Sequence, residues 1–191
     1  MAGRRGLWAV LLGVLLGWPV LMLMLTPAAA DIAPGNRELQ VKAAYLYKFA
    51  EFVEWPASAL PQATAPIVIG VVGADELVGE LKDQVAGRTV NEHPILVKPL
   101  KPDQGLNGVQ VLFIGRQEEA RLKRLLEDVR AKPVLTVTEA SGALNQGSII
   151  NFVLLDNRLR FEISLGVAER SGLKLSSRLL AVALQVTRET P

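Results

Sequence analysis

The chain has 191 residues, half of them hydrophobic, which is enough for one globular domain with a proper core. It contains no cysteine, so disulfides, thiolate metal sites and lipid attachment through an N-terminal cysteine are excluded. Its 21 basic and 19 acidic residues give a formal net charge of +2, and the two arginines within residues 1–30 account for that excess. A chain that is neutral beyond residue 30 and has no basic cluster is a poor nucleic-acid binder.

Arg4 and Arg5, the apolar run Leu7 to Leu25 and the small residues Thr26 to Ala30 have the form of a secretory signal peptide, residues 1–30, with cleavage after Ala30. The mature, exported domain is then residues 31–191, starting at Asp31. The alternative is an uncleaved membrane anchor, since the run is about long enough to span a bilayer. Gly13, Gly17 and Pro19 interrupt it, however, and the alanines follow directly. The arginine pair alone is weak evidence for twin-arginine export.

Residues 31–36 read as a flexible entry. From Arg37 to Val53 the pattern turns helical, with Leu39, Ala43, Leu46, Ala50 and Val53 on one stripe. Tyr45, Phe49 and Phe52 fall on a second shoulder, so this helix requires a second neighbour. Trp55-Pro56 stops it. A loop, Pro56 to Pro66, leads to the continuous β-branched run Ile67 to Val72, the pattern of a parallel strand covered on both sides. Gly73 turns the chain into a helix from Asp75 that carries Leu77, Val78, Leu81 and Val85. Gly87 to Leu100 is extended, but Pro94 and Pro99 confine it to a sheet edge. Val109 to Ile114 is a second buried strand, followed by a helix Gln117 to Ala131 whose inner face carries Leu122, Leu125, Leu126 and Val129. Val134 to Thr138 is a third strand, and Ser141 to Gly147 is a short connection.

Ile149 to Leu184 reads as a β-hairpin followed by two short helices. With Asp156 and Asn157 as a two-residue turn, Leu154 pairs with Leu159, Phe152 with Phe161 and Ile150 with Ile163, all on one face. Arg158, Arg160 and Glu162 take the other face, so the second strand lies near a sheet edge. A slip of one residue would expose the aromatics, so the pattern fixes the register. Ser164 is positioned to cap one helix and Gly172 to end it, and Ser176 or Ser177 to cap another bearing Leu179, Leu180, Ala183, Leu184 and Thr187. The fold class is α/β: a three-layer sandwich with a mixed, mostly parallel sheet and a C-terminal antiparallel hairpin.

No constellation rises to a reaction. His93 is the only histidine, which excludes a two-histidine metal site, and beside Pro94 it reads as a surface or turn residue. Gly70-Val71-Val72-Gly73 matches half of a dinucleotide fingerprint without the third glycine, and no Walker lysine follows. No cofactor or metal is expected. One geometric site remains, because open α/β sheets bind ligands beyond the strand C-termini where strand order reverses. If Ile67 to Val72 and Val109 to Ile114 are neighbours, Gly73, Ala74, Gly115 and Arg116 line that crevice, with Arg116 positioned to hold a small anionic solute. The aromatic side chains of Tyr45, Phe49, Phe52 and Trp55 exceed what one core contact needs, which makes them candidates for a protein contact.

Two segments carry a resemblance. Lys42 to Pro56 (KAAYLYKFAEFVEWP), and Leu159 to Ser164 (LRFEIS) with Ser171 to Leu180 (SGLKLSSRLL), resemble the YfiR-like family of periplasmic proteins. The runs VLFI at 111–114 and VLTV at 134–137 fall in the expected order between them. The resemblance implies a periplasmic α/β domain without enzymatic activity. The best-understood members bind the periplasmic part of an inner-membrane diguanylate cyclase and hold it inactive; a homodimer is the other partner it implies. Those members carry disulfides, and a redox-controlled switch has no thiol to work with in this chain.

Overall fold

The computed structural model describes residues 34–62 and 64–188; the expected signal peptide and the first half of the expected flexible entry, residues 31–33, lie outside them. The first helix, α1 (Pro34–Glu51), starts within the segment read as a loop. Proline suits a first helical position because its fixed φ is already helical. The helix also ends early. Val53–Glu54 forms β1, antiparallel to β9 (Lys174–Leu175), with Glu54 opposite Lys174. A two-residue strand has no periodicity of its own, so only its distant partner defines it.

The centre of the chain alternates as expected. It runs through β2 (Ile67–Val72), α2 (Asp75–Val85), the hairpin β3 (Thr89–Val90) and β4 (His93–Leu100), β5 (Val111–Ile114), α3 (Leu122–Asp128) and β6 (Leu135–Thr138). Three further strands and two short helices follow: β7 (Ile150–Leu155), β8 (Arg158–Ser164), α4 (Leu165–Arg170), α5 (Ser177–Val182) and β10 (Gln185–Thr187). The main sheet has the order β10-β8-β7-β6-β5-β2-β4-β3. The run β4-β2-β5-β6-β7 is parallel throughout.

Alternation along β2 explains the layers. Ile67, Ile69 and Val71 join the core under α1 and α2, while Val68 and Val72 join the core under α3. The chain is thus an α/β three-layer sandwich. The two prolines of β4 fit because only the two residues of β3 lie outside it. His93 has a structural partner, its Nδ1 lying 2.7 Å from the Ala65 carbonyl oxygen in the neighbouring loop. Gln110 fastens the same loop, accepting from Val68 N at 2.8 Å and donating to Ala59 O at 3.1 Å.

The hairpin keeps the expected register at all six positions, Leu154 with Leu159, Phe152 with Phe161, and Ile150 with Ile163. Asp156 and Asn157 have φ of 48° and 57°, the left-handed pair that a two-residue turn needs. β8 lies one strand from the sheet edge. Ser176 caps α5, its hydroxyl accepting from Leu179 N at 3.3 Å. Ser164 precedes α4 without making a cap bond, and its hydroxyl is buried without a partner.

Two expected helices are corrected. The C-terminal one stops at Val182, and residues 185–187 add β10 in parallel to β8, where Glu162 to Ser164 offer an unpaired edge. The helix expected over Gln117 to Ala131 begins as a 3-10 turn, Arg116–Arg121, and is α-helical only over Leu122–Asp128. Its first turn is pressed against the preceding unit: a Cβ on Gly73 would lie 2.6 Å from Glu118 Cγ.

Candidate functional site

The aromatic shoulder of α1 was the first expected site, and most of it is core. Phe49 is 1% exposed, its ring centroid 4.9 Å from Phe161 and 5.7 Å from both Tyr45 and Phe152. A partner protein cannot reach it, which corrects the expectation for this residue. Tyr45 is half-buried, 5.4 Å from Phe161 and 5.9 Å from Phe152. Such pairs contribute about 0.5–1.5 kcal/mol each beyond area burial, and here they tie α1 to the hairpin. Phe52 and Trp55 are also half-buried, packed on the same core beside the C-terminal unit; the Phe52 carbonyl accepts from Ser176 N at 2.9 Å. The second neighbour that the shoulder required is therefore this protein's own hairpin and C-terminus.

The exposed apolar surface lies just past these rings. Leu154 is 60% exposed, Leu184 40% and Val186 37%. Leu154 lies two residues beyond Phe152, Val186 faces the core residue Ile163, and Leu184 N donates to Phe161 O at 2.8 Å. Directly paired residues share a face, so these side chains lie on the α1 side of the sheet, Leu154 on the turn side of the Phe152–Phe161 row and Val186 beside Ile163 on the other side. Tyr45 and Phe49 of α1 cover that row, and the sheet extends one more strand, β10, beyond β8. On α1 itself Val41, one turn before Tyr45, is 38% exposed.

The second expected site was the crevice at Gly73 and Arg116. β2 and β5 are neighbours, and Gly73 and Arg116 stand beyond their C-terminal ends beside a cavity of about 350 Å³. Its chemistry differs from the expectation. The Glu139 carboxylate accepts from Arg116 N at 2.9 Å and from Lys42 Nζ at 2.5 Å, and Lys42 also pairs with Glu38 at 2.6 Å. Glu38, Asp75, Glu76 and Glu139 line the cavity against Lys42 and Arg116, so the surroundings are net acidic and the anion's seat holds a carboxylate of the chain itself. The Arg116 side chain is exposed. Among the described residues, no group of three or more histidine, cysteine or acidic side chains is placed to hold a metal ion.

Lys42 and Glu139, 97 residues apart, latch α1 to the end of β6. Burial works against the Lys42 ammonium, but its bonds to Glu139 and Glu38 outweigh that and raise its pKa above the ordinary 10.5. A folded-state value above the unfolded one stabilises below pH 10.5 and stops doing so as pH rises through the folded value. Lys42→Met, which leaves Glu139 with the Arg116 N–H but without its cationic partner at the rim of the core, is expected to lower stability by about 2 kcal/mol near neutral pH. Urea unfolding across pH checks it: the gap between wild type and variant should shrink above pH 10.5.

Pattern reading missed Tyr47, which is 6% exposed with the Lys48 ammonium and the Arg88 guanidinium each 5.2 Å from its ring centroid. Its hydrogen bond to Glu51, with burial, raises its pKa. Aromatics at 45, 47, 49 and 52 cannot share one helical face, and that was the available signal.

The described residues form a mostly parallel α/β core with an antiparallel closing hairpin, and Leu154, Leu184 and Val186 are exposed beside that hairpin. Residues 39–184 match the YfiR/HmsC-like family model, and the chain belongs to that family. Among solved structures it is similar to a conserved domain protein from Vibrio cholerae O1 biovar El Tor str. N16961, with 12% identity and a TM-score of 0.54. The match covers 76% of this chain and 60% of that one, and at this identity the likeness is one of fold. The search of curated proteins returns no match.

Proposed function

We propose that this chain is an exported, non-enzymatic regulator that binds the periplasmic part of an inner-membrane diguanylate cyclase and holds it inactive. Family membership supports the regulatory role. The observation that carries the binding role is the exposure of three apolar side chains on the α1 side of the sheet, Leu154, Leu184 and Val186. A repressor must bind the inactive target more tightly than the active one, and a tenfold shift needs about 1.4 kcal/mol of difference. One or two buried leucines supply that. The acidic lining of the crevice, Glu38, Asp75, Glu76 and Glu139 against Lys42 and Arg116, weighs against the anionic-solute reading.

Deletion of the gene is expected to raise cellular cyclic di-GMP and surface attachment, and the exported wild-type protein to reverse both. An unchanged second-messenger level, with the cyclase expressed, defeats the proposal. Mass spectrometry of the periplasmic fraction should find a chain starting near Asp31; an intact N-terminus held in the inner membrane contradicts export.

A further inference from the structure

The edge of β8 is only partly paired. Because the hairpin closes on a two-residue turn, Leu155 and Arg158 form a hydrogen-bonded pair and Leu154 with Leu159 the next, non-hydrogen-bonded one. The N–H and C=O of Leu159 therefore point away from β7. Further along, the equivalent outward positions are taken, since Phe161 O accepts from Leu184 N and Ile163 faces Val186. β10 pairs with residues 162–164 alone, so among the described residues the outward groups of Leu159 meet no neighbouring strand.

Arginines flank this gap. Arg158 and Arg160 are exposed, and among the described residues neither side chain has an ion pair or hydrogen bond. They also discriminate between occupants. A second copy pairing antiparallel about Leu159 would set Arg158 opposite Arg160 twice, and like charges directly opposed destabilise a ladder. A strand with an apolar residue opposite Leu159 and a carboxylate on either side of it meets both the apolar face and the two cations.

We propose that the Arg158–Arg160 edge of β8 accepts an extended acidic segment of the partner protein as an added strand. The inference rests on the regulatory reading above for the partner's being a protein, and it names the part of that partner that docks.

The test uses a short capped peptide alternating aspartate with valine, its lysine–valine counterpart, and the double variant Arg158→Glu/Arg160→Glu, whose fold is verified by its melting curve. Calorimetry should show saturable binding of the acidic peptide to wild type, weakened roughly tenfold or more in the double variant. Hydrogen exchange at the Leu159 amide should slow on binding, and the lysine peptide should prefer the double variant. No saturation, an affinity indifferent to the charge reversal, or an unchanged Leu159 exchange rate overturns the proposal. A second arm separates it from the regulatory reading. If wild type lowers cyclic di-GMP in the deletion strain and the double variant lowers it equally, the edge proposal falls and the regulator stands. If wild type itself has no effect, the regulator falls and the peptide result decides the edge.

Discussion

Phe161→Ala is expected to reduce unfolding free energy by about 3–5 kcal/mol. The side chain is 2% exposed and its ring meets Phe49 edge-on at 4.9 Å and Tyr45 at 5.4 Å, so truncation opens a cavity where α1, β7 and β8 converge. The Phe161 carbonyl also holds Leu184, so loosening at this position reaches the β10 edge. Chemical denaturation measures the loss. A change below about 1 kcal/mol would mean that the ring does not anchor the hairpin to the helix.

Gly115→Ala is expected to cost about 3 kcal/mol, for a reason that has nothing to do with backbone freedom. Gly115 has φ −74° and ψ 164°, open to any residue. An added Cβ would instead lie 2.2 Å from the Gly73 carbonyl oxygen and 2.8 Å from Ala74 Cβ. The turn leaving β5 and the turn leaving β2 would have to separate, pulling Arg116 N from Glu139. Gly79→Ala is the control. A methyl added there on α2 would meet nothing within 4 Å, and alanine in a helix interior should stabilise by about 1 kcal/mol. Equal effects at the two glycines would contradict the close approach.

What the sequence made legible was local. The hairpin register follows from period-two alternation around Asp156-Asn157, and β2, β5 and β6 follow from β-branched runs too short for helices. What it hid depends on distant partners. The helical spacing of Leu179, Leu180, Ala183, Leu184 and Thr187 runs into β10, and only the edge of β8 recruits residues 185–187 as a strand. β1 and β9 exist through each other, about 120 residues apart in sequence. The second shoulder of α1 was read correctly as needing cover, but which surface covers Phe49 is a tertiary fact. The crevice position was legible from topology. Its occupant was not, because Lys42 and Glu139 carry no spacing that links them.

In the proposed regulator the exposed Leu154 and Leu184 side chains make the partner contact. The direct measurement is cyclic di-GMP in the deletion strain carrying an exported Leu154→Glu/Leu184→Glu variant. Both side chains are exposed, so stability should stay within about 1 kcal/mol of wild type. The account predicts a folded, exported variant that leaves cyclic di-GMP at the level of the deletion strain. A folded variant that restores the wild-type level would contradict it.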